Sequence, residues 1–232
     1  KATPTTNHSI HITLPLDNTT LEMVAMNALL VLTLLLAVTC YCAMAGDPDI
    51  TTDFVVPDGT MASGNFFTFT GLRSVVRGGA PPTAATPFKV TKVSQVEFPA
   101  LDGQSVSMAV LQYAPGGINP LHTHPRSAEL LLVAEGWLDV GFVDTANKLF
   151  VQTLQTGDTF VFPKGLPHFQ LNRDPKYPAV AVSAFGSANA GTVALPKALF
   201  GSGVDVGVLA KSFKTDGDTI QKLVAAATTM GY

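Results

Sequence analysis

The sequence predicts an all-β domain, a sandwich or closed barrel, finished by short C-terminal helices. Three observations predict it. From Pro87 to about residue 190, short stretches rich in β-branched and aromatic residues recur between clusters of turn-forming residues. After Gly191 the apolar spacing becomes helical. Within the first of these regions, three histidines and one glutamate fall at spacings that strands can bring to one point.

Residues 1–22 are polar and Thr-rich and lack apolar periodicity. They read as sequence upstream of a start at Met23, or as a disordered extension, so the glycosylation sequons at Asn7 and Asn18 carry no role. Residues 23–45 read as a secretory signal peptide. An apolar run covers 28–38, and Ala43-Met44-Ala45 supplies a small-x-small cleavage site before Gly46, although a positive charge is missing ahead of the run. A membrane span needs about 20 apolar residues, more than this run offers. Cys40 and Cys42 both lie in this segment, so the mature chain, 46–232, is expected to be free of cysteine and of disulfides.

Residues 46–86 form an N-terminal arm, expected to be held by packing through Phe54, Phe66, Phe67 and Phe69. The barrel follows over about 87–190. FKVTKVSQVEF alternates in places, and SVSMAVLQY reads as a half-buried strand before the turn Ala114-Pro115-Gly116-Gly117. AELLLVAEGWLDVGFVD carries a long apolar run, expected to be buried on both faces, with a turn at Glu135-Gly136. KLFVQTLQ, DTFVFP and AVAVSAF follow, separated by TGD, PKG and NRDPKYP. In the tail, 191–232, LPKALFGS, DVGVLAKSF and DTIQKLVAAATTM carry helical spacing, and residues 215–218 offer N-cap chemistry for the last helix. The net charge of -3 and the lack of a Lys/Arg cluster argue against a nucleic-acid partner.

The chemistry lies in GINPLHTHPRSAE, residues 117–129. His122 and His124 share one face of an extended chain, and Pro125 favours a bend that returns Glu129 to the same place. His168 is the third imidazole. These are all the histidines after Ala45, and Glu129 is one of only three glutamates there. Three imidazoles and a carboxylate suit a divalent metal, but the donor set alone does not choose among manganese, iron and zinc.

At these residues the chain resembles the germins and germin-like proteins, a plant branch of the cupin superfamily. Gly117, His122, His124, Glu129 and Gly136 match the first cupin motif; Gly157, Pro163, Gly165, His168 and Asn172 match the second. The segments GDPDITTDF, NFFTFTGLR, YAPGGINP and LAKSF look like germin segments too, so the likeness covers nearly everything from Gly46 onward. It implies a cupin jelly-roll β-barrel and Mn(II) held by His122, His124, Glu129 and His168. It implies secretion to the apoplast or cell wall, no membrane attachment after signal cleavage, and helices that clasp neighbouring subunits into a homo-oligomer, a trimer or hexamer. The implied activity is superoxide dismutation; the alternatives are a non-enzymatic extracellular receptor or ligand-binding protein, or a storage cupin acting as a nutrient reservoir. The implied partner is superoxide or a small carboxylate. Asn119 matches a family pocket residue, or else opens an Asn-Pro turn. Asp102, in FPALDGQ, stands where germins that oxidise oxalate look like they carry Asn. If Asp102 lies beside the ligand it repels a dianion more than superoxide, which disfavours oxalate oxidation; if it only forms an Asp-Gly turn, it does not.

Overall fold

The structure, a computed structural model, describes residues 18–41, 47–78 and 81–229. The chain divides into two compact units, Lys1–Ala45 and Gly46–Tyr232. In the first, α1 (Asn18–Tyr41) covers the whole apolar run. No helix among the described residues is long and apolar enough to cross a membrane. The expected cleavage site at 43–45 and most of the upstream extension lie outside the described residues.

The second unit is built on ten strands. These are β1 (Phe88–Val93), β2 (Ser107–Tyr113), β3 (Ile118–Thr123), β4 (Glu129–Glu135), β5 (Trp137–Val143), β6 (Leu149–Gln155), β7 (Thr159–Phe162), β8 (His168–Leu171), β9 (Ala179–Phe185) and β10 (Val193–Ala194). They pair antiparallel in two five-stranded sheets, ordered β1-β2-β9-β4-β7 and β10-β3-β8-β5-β6, which face each other as a jelly roll. The strand segments and turns read from the sequence fall within these elements. The exception is the end of FKVTKVSQVEF, where Glu97 accepts hydrogen bonds from the Ser94 amide and hydroxyl and closes a turn instead of extending β1.

The core lies between the sheets, where Tyr113, Leu131, Val133, Leu138, Val140, Phe162 and Ala181 are fully buried. Period-two alternation decides which side of β4 joins it: Glu129, Leu131 and Val133 point inward, while Leu130 and Leu132 are exposed. The expectation of a strand buried on both faces is therefore corrected. One sheet face meets the opposite sheet, and nothing among the described residues covers the other. Two motif glycines are dictated by space. A Cβ on Gly117 would lie 2.2 Å from the Pro87 carbonyl oxygen, and one on Gly136, at φ +80, would lie 2.7 Å from the Pro178 carbonyl oxygen.

The tail forms α3 (Leu195–Phe200), α4 (Val206–Phe213) and α5 (Gly217–Thr229), with α3 packed against β3 and α5. Asp205 caps α4 by accepting from the Val208 amide, and Asp216 caps α5 by accepting from the Thr219 amide. Leu209 and Ile220 are buried, whereas Val208, Phe213 and Leu223 remain exposed.

Among its described residues the arm contains one helical turn, α2 (Arg73–Val76). Its rings touch one another, Phe54 to Phe67 at 5.1 Å and Phe66 to Phe67 at 4.9 Å, and Phe69 reaches Phe98 at 5.6 Å. Phe54 and Phe67 nevertheless stay exposed, and of these ring contacts it is Phe69 with Phe98 that helps to fix the arm to the barrel. Polar groups do so as well. The Asp47 carboxylate accepts from the Ser187 hydroxyl at 2.7 Å and the Ala188 amide at 2.5 Å, and Gln104 donates to the Asp53 carbonyl.

Candidate metal centre

Four side chains from β3, β4, β8 and the turn after β3 meet inside the barrel. His122, on β3, stands opposite His168, the first residue of β8, with their ring centres 4.1 Å apart. His124 follows the end of β3, and Glu129 opens β4 on its inward face. One candidate ligand atom from each of the four lies within 4.8 Å of the others, and all four residues are buried.

The hydrogen bonds around this group decide what it can hold. His122 Nδ1 lies 2.7 Å from the Pro120 carbonyl, His124 Nδ1 2.5 Å from the Gly191 carbonyl, and His168 Nδ1 2.8 Å from the Leu166 carbonyl. Only an N–H satisfies a carbonyl, so each neutral ring keeps its Nε2 as a lone pair. Glu129 Oε1 accepts from Ser183 Oγ at 2.6 Å and from Gln170 Nε2 at 3.3 Å. Its Oε2 is left 3.0 Å from His124 Nε2 and 3.1 Å from His168 Nε2. Lone pairs this close repel unless a proton or a cation stands among them. Three imidazole nitrogens and one carboxylate oxygen, oriented from behind, fit a divalent cation.

The electrostatics of the metal-free group agree. Burial, then the neighbouring His168, pushes His122 down to about 3, so it stays neutral and able to bind. Burial would raise the Glu129 carboxyl, but in the metal-free group hydrogen bonds from His124 and His168, whose protons stand where a cation would, outweigh it and hold the group well below the usual carboxylate range. Burial, and after it the Glu129 charge, raises the Tyr113 phenol well above its ordinary value.

Asn119 lies within β3 and not in a free turn. Its amide donates to Gln170 Oε1 at 2.7 Å, and it lines a cavity of about 330 Å³ that His122, His124 and Glu129 also border. Asp102 is elsewhere. It ends a 3-10 turn (Pro99–Leu101) before Gly103, is exposed, and borders a different hollow with Asp47 and Arg126. The expectation that its charge stands beside the ligand is corrected, because the Asp-Gly turn carries the side chain to the outside. Sequence reasoning missed Gln170 and Ser183. Both left signals: Gln170 is two residues after His168 on the same face, and Ser183 is the one polar residue of AVAVSAF.

Comparison with known proteins follows the same lines. The cupin family model matches residues 82–221. Germin-like protein 9-3 of Oryza sativa subsp. japonica is 59% identical over 189 residues, 80% of this chain and 88% of that protein. Germin-like protein subfamily 2 member 1 of Arabidopsis thaliana is 40% identical over 207 residues, covering 84% of this chain and 94% of its own length. Among solved structures, an oxalate oxidase in complex with the substrate analogue glycolate superposes with a TM-score of 0.69 at 32% identity, over 80% of this chain and all of the other.

Proposed function

This chain belongs to the germin-like proteins of the cupin family, and on that premise we propose that it is a secreted manganese protein with superoxide dismutase-type activity in the plant cell wall. The observation that carries the reading is the buried set of three Nε2 lone pairs and one carboxylate oxygen, each fixed from behind by a hydrogen bond. Bound Mn(II) would supply one-electron cycling between two oxidation states. The chain's own contribution is positional. The Pro120, Leu166 and Gly191 carbonyls aim the imidazoles, Ser183 and Gln170 confine Glu129 to one donor oxygen, and Asn119 offers an amide beside the open side of the group.

The charge argument against oxalate does not apply with Asp102 outside the cavity, so oxalate oxidation is judged by assay. A homo-oligomer, trimer or hexamer, is part of the same proposal. Leu130, Leu132 and Val161 on one outer sheet face, with Val208, Phe213 and Leu223 on the tail, leave apolar surface that a neighbouring subunit would cover. The test is metal analysis of the secreted protein, followed by superoxide-dependent activity before and after chelation. The expected result is close to one metal per chain, mainly manganese, with activity lost on chelation and regained on adding Mn(II). Full activity in metal-free protein overturns the reading.

A further inference from the structure

We propose that Arg126 and Asn189 are positioning residues for His124, acting on it through the Gly191 carbonyl. The proposal rests on the metal-centre reading and adds to it the source of one ligand's orientation. Three observations carry it.

The first is where His124 stands. The other three candidate ligands are registered in strand ladders: His122 opposite His168, Glu129 between Phe162 and Phe185, and His168 also opposite Phe142. β3 ends at Thr123, so His124 lies past the ladder. Its ring is aimed differently as well. His122 and His168 each meet a carbonyl two residues earlier in their own segment, whereas the carbonyl that meets His124 belongs to Gly191, 67 residues away. A ring set from a distant loop is only as well placed as that loop.

The second is what fixes the loop. Arg126 Nε donates to the Asn189 carbonyl at 2.5 Å, and Arg126 Nη2 donates to Asn189 Oδ1 at 3.0 Å. The planar guanidinium thus holds both oxygens of one residue. Asn189 Oδ1 also accepts from the Gly191 amide at 3.2 Å, and the Arg126 amide donates to the Ala190 carbonyl at 3.1 Å. The peptide between Ala190 and Gly191 is therefore gripped at its oxygen by Arg126 and at its nitrogen by Asn189. A planar unit held at both ends resists turning. Beyond it, Val193 pairs with Thr123 of β3. The Gly191 carbonyl lies between these two fixed points.

The third is shape. Gly191 has φ +69, and a Cβ on it would lie 2.7 Å from Arg126 Nη2, so the guanidinium packs on the very residue that aims His124. Asn189 borders both the metal cavity and the outer hollow; Gly191 borders the inner one and Arg126 the outer. The clamp grips from outside a wall whose inner side meets the ligand. Arg126 is exposed, so its side chain can be changed without opening the core.

The experiment titrates Mn(II) into the metal-free full chain and records the Mn(II) electron paramagnetic resonance spectrum and the Tm with and without metal. Asn189→Leu is expected to bind Mn(II) about 10- to 100-fold more weakly, with an altered zero-field splitting. Asn189→Asp keeps Oδ1 and is expected to match wild type. Arg126→Ala is expected to shift affinity and spectrum in the same direction as Asn189→Leu, and it carries the test if that variant does not fold. Asp47→Ala is the control for loosening the loop alone. It frees Ser187 and Ala188 from the arm, but their carbonyls still accept from Ser107 Oγ and the Gln95 amide. It is expected to lower the Tm of both forms and to keep the affinity and spectrum of wild type. Unchanged affinity in the clamp variants that fold overturns the proposal and leaves the metal centre standing. So does a loss in Asn189→Asp equal to that in Asn189→Leu, or a loss in Asp47→Ala as large as in the clamp variants. A wild-type chain that takes up no metal overturns both readings.

Discussion

The metal group and the N-terminal arm sit in one compact unit and are held by opposite means. Around the metal group nearly every polar atom is spoken for: three Nδ1 atoms by carbonyls, Glu129 Oε1 by two donors, and Gln170 by Asn119, Tyr113 and Glu129. Among its described residues the arm has no regular element longer than one helical turn, and its aromatic rings lean on each other with Phe54 and Phe67 exposed. A mutation at the group therefore leaves a buried partner stranded, while one in the arm mostly exchanges protein contacts for water. Cost should follow this division.

The largest effect is expected from His122→Ala or His168→Ala, which remove a candidate ligand and should leave the purified protein without stoichiometric metal. With metal at a hundredfold excess over its dissociation constant, binding adds about 2.7 kcal/mol of stability, so chelation should lower the Tm of wild type and not of these variants. Full occupancy in both variants would contradict the assignment.

Acid should act next, and on the group first. In metal-free protein His122 falls from 6.5 to about 3, so the unfolded chain takes up a proton that the folded one refuses. That stability is complete above pH 6.5 and drains away as pH falls toward 3. Glu129 is held below its ordinary 4.5, so its contribution is complete above that pH and is lost further into acid. Both signs agree. The Tm of the metal-free wild type should fall more between pH 7 and 4 than that of His122→Gln, and parallel curves would refute this.

Ser183→Ala tests the frame behind the ligands. It removes the shorter of the two hydrogen bonds on Glu129 Oε1 and should weaken metal binding about 10- to 100-fold, while metal-free stability changes less. Equal Mn(II) titrations of variant and wild type would show that Gln170 alone holds the carboxylate.

How much of this was legible in the sequence follows the same division. His122, His124, Glu129 and His168 could be read directly, because a two-residue spacing on a strand and a proline bend are local geometry. The strands could be read for the same reason, and the jelly roll came from the resemblance. Asp102 could not be placed, since which side a turn residue faces depends on packing many residues away. Leu130 and Leu132 were misread because an apolar run does not say whether a second layer is present to cover it. The arm was read in part: of its four phenylalanines Phe69 reaches the barrel at Phe98, but the acceptor Asp47 could not be read, because its partners Ser187 and Ala188 are 140 residues distant in sequence.

Asp47→Ala sharpens that point. The carboxylate accepts two hydrogen bonds from the loop that also carries Gly191, the acceptor for His124. Hydrogen bonds to a charged group are worth about 1.5–3 kcal/mol, and Asp47 is only half-buried, so a loss of about 2 kcal/mol is expected by denaturant unfolding. A change below about 0.5 kcal/mol, the range of ordinary surface substitutions, would mean that other contacts hold the arm.

The smallest effect is expected from Phe67→Ala. Its ring meets Phe54 and Phe66 edge-on, a geometry worth about 0.5–1.5 kcal/mol when the pair is shielded from water. Phe67 is 45% exposed, so much of its surface gains nothing from the fold and the loss should not exceed about 1 kcal/mol. Phe162→Ala is the control. That ring is fully buried and stacks on His168 at 4.5 Å, and its removal should cost about 3–5 kcal/mol. The comparison is made on dilute protein, where any subunit contact is weakest, and again at high concentration. If the two variants cost the same at both concentrations, the division between group and arm is wrong. If Phe67→Ala becomes costly only at high concentration, the exposed rings of the arm are covered by a neighbouring subunit. The arm would then owe its order to assembly, while the metal group owes its order to the barrel.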